Sequence, residues 1–201
     1  MFMQKLVIAS NNPGKLREFQ FLLQPLGIEV LAQGALGISE AEEPHATFIE
    51  NALSKARHAS RLCGLPALAD DSGICVAALD GAPGVLSARY ASEEPRSDQR
   101  NNEKLLQVMS SVADRRAHYY CVLVLLRHAD DPQPLLAEGE WHGEIARQPA
   151  GDGGFGYDPL FWLPELGKTS AQLLREQKHA ISHRGKAMRV LLEKLRSIQG
   201  R

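Results

Sequence analysis

The sequence predicts an α/β fold. Three observations lead there. The chain opens as strand, tight loop, helix and strand, a long apolar run near its middle suits a central strand, and its C-terminal stretch carries one apolar helical face. At 201 residues it can bury a substantial core, as one domain spanning 1–201.

The elements follow in order. Lys5 to Ala9 (KLVIA) suits a buried strand, and Ser10 to Gly14 forms a turn. Leu16, Phe19, Leu22, Leu23 and Leu26 then recur near the 3.6-residue period, and Gly27 ends that helix. Ile28 to Leu31 reads as a second strand, and residues 33–46 as an irregular, acidic segment. Thr47 with Glu50 three residues on predicts a capping box, opening a helix that Gly64 and Pro66 close after Cys63. Ala67 to Asp70 is read as a short strand ending in carboxylates, with Gly73 and the apolar run Ile74 to Leu79 behind it. A loop over 80–91 precedes a helix over 97–109. Ala117 to Arg127 is predicted as a central strand, with Leu135 to Ile145 as its antiparallel neighbour across the Asp130-Asp131-Pro132 turn. Residues 149–159 are glycine-rich and irregular, and the final helix spans at least Gly185 to Leu195.

Composition excludes several classes of function. The 23 basic and 24 acidic residues balance, which argues against a nonspecific nucleic-acid binder. The longest clear apolar run, Cys121 to Leu126, falls far short of the roughly 20 residues a membrane helix needs. The first ten residues lack a cleavage pattern and read as a strand rather than a signal peptide. Cys63, Cys75 and Cys121 have no close spacing; they are read as buried thiols of a reducing cytoplasm. The scattered histidines show no zinc spacing.

Five segments could carry chemistry. Ser10-Asn11-Asn12-Pro13-Gly14-Lys15 lies between a strand and a helix, where backbone N–H groups, the helix dipole and Lys15 can bind an anion. It lacks the Walker A spacing, and an ordinary Asn-rich turn would look the same. Asp70 and Asp71 point in different directions if their backbone is extended, so one can face a ligand while the other braces the chain. Their hard oxygens suit Mg²⁺. Glu40, Glu42 and Glu43 could add a carboxylate, and spacing alone does not choose among them. In Gly153 to Pro159, a purine could stack on Phe155 or Tyr157 while Asp158 reads a polar edge; the same aromatics could instead anchor a turn. Lys178 to Lys186 is basic: Ser182 can cap a helix, Arg184 can donate to a carbonyl and ring nitrogen, and Lys178 can neutralise a phosphate. Lys55 is a further candidate.

Together, SNNPGK at 10–15, TFIENALSKARHA at 47–59, LADDSG at 68–73, GAPGVLSARY at 81–90, GGFGYDP at 153–159 and SHRGKA at 182–187 resemble the inosine triphosphate pyrophosphatase family. Within it the chain is most similar to the bacterial non-canonical purine NTP pyrophosphatases, and the match covers nearly its whole length. The resemblance implies an elongated α/β structure with a long twisted mixed sheet and two lobes around a central cleft. It implies Mg²⁺-dependent hydrolysis of dITP, ITP and XTP to monophosphate and pyrophosphate, by a cytoplasmic homodimer that cleanses the nucleotide pool. Asp71 would be general base and metal ligand, and Glu43 the second metal carboxylate. Ser10, Asn11, Asn12, Pro13, Gly14 and Lys15 would hold phosphate, with Lys55 and Asp70 in support and Ser72 beside the substrate. Phe155, Gly156, Tyr157, Asp158, Lys178, His183 and Arg184 would contact the nucleotide and base. A related pyrophosphatase with another base preference, such as modified pyrimidines, is the alternative; a nucleotide sensor without activity is a third reading.

Overall fold

The computed structural model describes residues 3–92 and 95–199. Met1 and Phe2, part of the N-terminal stretch read as the first strand rather than a signal peptide, lie outside them. The elements are β1 (Lys5–Ile8), α1 (Pro13–Leu23), β2 (Glu29–Ala32), α2 (Phe48–Cys63), β3 (Ala67–Val76), α3 (Asp98–Val108), β4 (Arg116–Leu126), β5 (Leu135–Ile145), β6 (Phe161–Leu163), β7 (Lys168–Thr169), α4 (Arg175–Ile181) and α5 (His183–Gln199). One mixed sheet has the order β2-β1-β3-β4-β5-β6-β7. β1 pairs parallel with β2 (Lys5 opposite Glu29) and with β3 (Val7 opposite Ala67), whereas β6 runs antiparallel to β5 and β7.

The chain forms two compact units. The first holds residues up to Asp71, Cys121–Glu138 and those from Ala187 onward; the second holds Ser72–Tyr120 and Gly139–Lys186. Each has its own apolar core. In the first unit, Leu6, Ile8, Phe19, Leu23, Leu68, Leu123, Leu125, Met188 and Leu191 pack together. In the second, Ile74, Val76, Leu105, Met109, Tyr119, Trp141, Tyr157 and Phe161 do so. Each fully buried side chain of this size contributes roughly 1.5–3 kcal/mol. β4 records both environments: Arg116 to Tyr120 alternate in exposure, then Cys121 to Leu126 are buried throughout. Alternation means one wetted face, and the continuous apolar run means a strand covered on both.

Local chemistry explains the boundaries. Asn12 caps α1, its side-chain oxygen accepting from the N–H groups of Gly14 (2.9 Å) and Lys15 (3.1 Å). α1 stops at Leu23, short of the predicted Gly27, and residues 24–26 form a 3₁₀ turn around Pro25, which has no N–H to continue the ladder. Thr47 caps α2 through the Glu50 N–H, but the Glu50 carboxylate accepts from the Thr47 hydroxyl (2.6 Å) instead of completing the expected box. The main correction is β3. It is one ten-residue strand through Asp70, Asp71, Ser72 and Gly73, so the carboxylates sit mid-strand, not at a strand end. α4 interrupts the basic segment that had no assigned element, and only Cys121 among the cysteines is fully buried.

Candidate active site

Alternation along β3 sends Asp70 and Asp71 to different partners, as an extended backbone requires. Asp70, 2% exposed, pairs with the Lys15 ammonium from the start of α1 at 2.5 Å. Asp71 pairs through Oδ1 with Lys55 on α2 at 2.9 Å, and the same ammonium meets Glu43 at 2.6 Å. Lys55 thus gathers Glu43 and Asp71 from segments 28 residues apart. Asp71 Oδ2 is buried and meets no hydrogen-bond partner among the described residues. Burial pushes the Asp71 carboxyl above its ordinary range; Lys55 opposes that, and the neighbouring Glu43 and Asp70 charges reinforce it. For Lys55, burial works against the charge, yet Asp71, Asp70 and Glu43 outweigh it and hold the ammonium above its usual value.

The three acidic candidates separate here. Glu43 joins Asp71, Glu40 accepts from the Asn11 side-chain amide (3.0 Å), and Glu42 is exposed. The 10–15 loop is largely self-satisfied. Ser10 Oγ accepts from Asn12 N–H, and Asn12 consumes the next two free amides. The expected bare amide cradle is therefore occupied by the cap, leaving the Asn12 and Lys15 side chains to exchange partners for an anion. A cavity of about 410 Å³ lies along α2, lined by His45, Glu50, Ser54, Arg57, His58 and Arg61, and includes none of these acid–lysine groups.

In the second unit, the glycine-rich loop corrects two assignments. Tyr157 is buried, its hydroxyl donating to the Ser87 carbonyl (2.8 Å); it anchors the loop and offers no stacking face. Asp158 is 2% exposed, accepting from Ser170 Oγ (2.7 Å), Phe155 N–H (2.8 Å) and the Lys178 ammonium, so its carboxylate builds the loop instead of reading a base edge. A Cβ at Gly154 would sit 2.0 Å from Asp158 Oδ2, which explains the glycine. Phe155 remains 58% exposed, with Lys178 Nζ 4.9 Å from its ring centroid. Ser182 Oγ accepts from Gly185 N–H at the start of α5, as expected of a cap. His183 is buried and stacks on Tyr119 (4.7 Å between centroids, 9° between planes), and Arg184 donates to Ser72 Oγ at 3.2 Å. A Cβ at Gly185 would fall 1.8 Å from the His179 carbonyl, so the α4–α5 junction closes only over glycine.

Sequence reasoning missed three features. The Lys15–Asp70 pair spans 55 positions and leaves no local trace. Tyr119 reads as core within an apolar strand, and Ser170 lies in a segment without a motif. Among the described residues, no group of three or more His, Cys, Asp or Glu is arranged to hold a metal alone.

Fold and site together define an α/β enzyme whose buried carboxylates and lysines suit phosphate chemistry. The Ham1 family model matches residues 6–194, and the chain belongs to that family. A dITP/XTP pyrophosphatase of Ralstonia nicotianae is 65% identical over 196 residues, covering 96% of this chain and 98% of that one. A dITP/XTP pyrophosphatase of Nitrosomonas europaea is 65% identical over 193 residues, covering 96% and 95%. Among solved structures, a HAM1 protein from Coxiella burnetii aligns with TM-score 0.93 and 46% identity, covering 97% of this chain and all of that one. These relatives bear out the family resemblance and the mixed-sheet α/β fold.

Proposed function

We propose that the chain hydrolyses the non-canonical purine nucleoside triphosphates dITP, XTP and ITP to the monophosphate and pyrophosphate, with Mg²⁺, and so clears deaminated purines from the nucleotide pool. The observation that carries this reading is Asp71: a buried carboxylate with a raised pKa, one oxygen tied to Lys55 and the other without a protein partner. The relatives named as dITP/XTP pyrophosphatases support the substrate class.

Glu43 and Asp71 are the carboxylates that would hold the metal, and their hard oxygens fit it, since Mg²⁺ is commonly held by one or two carboxylates plus phosphate and water. Once bound, Mg²⁺ supplies charge neutralisation at phosphate oxygens and polarisation of phosphorus. Asp71 takes a proton from the attacking water, a role favoured by a carboxyl pKa shifted toward neutrality. Lys15, released from Asp70, neutralises charge on the departing pyrophosphate, with Asn12 and Ser10 beside it. Lys55 keeps Asp71 oriented. Phe155 offers a face to the purine, and Arg184 donates to its 6-oxo group, where an adenine 6-amino group would meet donor against donor at about 1–3 kcal/mol per unsatisfied group. We also propose a cytoplasmic homodimer; no helix among the described residues is long and apolar enough to cross a membrane.

The test is pyrophosphate release from ITP, XTP, dITP, GTP and ATP with Mg²⁺ and again after EDTA. Fast release from the first three, stopped by EDTA and restored by Mg²⁺, is expected. Orthophosphate with a diphosphate product, or full turnover without metal, overturns the proposal. Arg184→Ala should lower kcat/KM for ITP about tenfold and narrow the ITP-to-ATP ratio; an unchanged ratio assigns Arg184 to phosphate instead.

A further inference from the structure

Helix α3 carries Asp98 and Asn102 one turn apart, and residues at this spacing share a face. Both side chains bond to the same residue of the glycine-rich loop. Asp98 Oδ2 accepts from Gly156 N–H at 2.7 Å, and Asn102 Nδ2 donates to the Gly156 carbonyl at 2.9 Å. Gly156 has φ of +61°, and these two bonds fix the peptide on either side of it. Neither side chain makes another hydrogen bond among the described residues, so what they hold in the fold is this loop. The helix that carries them is immobilised. Leu105 is fully buried in the core, and Asn101 bonds to Ala91 N–H (2.8 Å) and the Ala88 carbonyl (3.1 Å).

The loop needs such a support for a definite reason. Asp158 fastens its inner side at Phe155 N–H, and Tyr157 is anchored at Ser87. Phe155 itself projects with its ring 58% exposed, and Lys178 Nζ lies 4.9 Å from the ring centroid. The direction of so exposed a ring depends on its backbone as well as on that one cation, and the peptide that follows Phe155 is the one Asp98 grips.

We infer that Asp98 and Asn102 are positioning residues that hold the Phe155 ring in place for the base of the substrate. The inference rests on the proposed role of Phe155 as the stacking face. A ring already held in place spares the substrate the entropy of ordering it, so the two residues act on substrate affinity and leave the phosphate chemistry alone.

Steady-state kinetics with ITP and Mg²⁺ on the full chain is the test, with a melting curve for each variant. Asn102→Ala and Asp98→Ala should each raise KM about five- to tenfold, as expected for losing one bond to a loop peptide. Turnover should stay within about twofold of the parent. Asp98→Asn keeps an acceptor for Gly156 N–H and should restore most of the lost affinity. Asp98 is exposed, so its variants keep the fold even if Asn102→Ala does not. In a Phe155→Ala background, Asn102→Ala should raise KM no further, because the ring it positions is gone. An equal rise in that background, or loss of kcat and Tm at unchanged KM, overturns the inference in favour of a purely structural clamp. If Phe155→Ala leaves the KM for ITP unchanged, the stacking role itself fails and takes the inference with it. If Phe155→Ala raises KM and neither α3 variant does, only the inference fails.

Discussion

Asp71 and Asp131 are both buried aspartates of the first unit, each beside one basic side chain, yet their carboxyls shift in opposite directions. The Arg127 guanidinium draws Asp131 well below the usual carboxylate range, helped by the N–H groups of Arg127 (2.9 Å) and Gln133 (3.0 Å). Asp71 has one lysine, no backbone donor, two acidic neighbours and an oxygen without a partner, and burial pushes it up. An aspartate whose lone pairs are all satisfied holds a turn; one left short of partners is ready for a proton or a cation. The difference lies first in burial, which dominates at Asp71, and then in donor count, which dominates at Asp131.

The largest expected effect follows from the unsatisfied member. Asp71→Asn should cut kcat for ITP by about 10²–10⁴, the usual range for a positioned general base. Its melting temperature should stay within a few degrees of the parent's. A raised folded-state pKa contributes stability only at low pH, and that contribution is lost as pH rises through it. At neutral pH the amide relieves the burial of an ionised Asp71 but also takes a counter-charge from Lys55, which Glu43 still pairs, so the two changes oppose one another. Near-parental kcat, or a collapsed melting temperature, would erase the contrast with Asp131.

Lys55→Met probes the same carboxylate from its partner's side. Glu43 and Asp71 would lose their shared cation, and breaking a buried pair from one side costs about 3–5 kcal/mol. Mg²⁺ should then raise the melting temperature of this variant more than that of the parent, because the ion replaces the missing charge. Equal Mg²⁺ responses in thermal melts would show that Glu43 and Asp71 do not form the metal site.

Much of this contrast was legible in the sequence, and the misses have physical causes. The caps at Thr47 and Ser182 announce helix starts because their side-chain oxygens accept from the first amides of α2 and α5, whereas Asn12, read only as part of a turn, is a cap that its contacts reveal. DDSG looks like a turn, since acidic residues are rare in buried strands; β3 runs through it because each aspartate meets a lysine brought from another element. Those lysines are 55 and 16 positions away, beyond any local pattern. Asp158 and Tyr157 stand inside a legible motif, but their inward direction depends on Ser170 and Ser87, which only the folded chain brings near. The motif marks the loop; packing decides that Phe155 alone faces out.

The smallest effect belongs to the satisfied aspartate. Asp131→Asn keeps one acceptor oxygen but turns the other into a donor facing the Arg127 guanidinium, so at least one of its bonds is lost. Bonds to charged groups are stronger than neutral ones, but the loss here should be small because solvent screens the exposed Arg127 side chain. At pH 7 the variant should thus melt a few degrees below the parent while kcat for ITP is unchanged. Because the Asp131 pKa is depressed, its stabilisation is complete above the unfolded value of about 3.9 and fades as pH falls through the folded one. The gap between parent and variant should therefore narrow on acidification, and melts at pH 7 and in strong acid measure it. A gap that persists in acid would mean that shape, and not charge, makes Asp131 structural. Loss of turnover at an unchanged Tm would place it beside Asp71 after all.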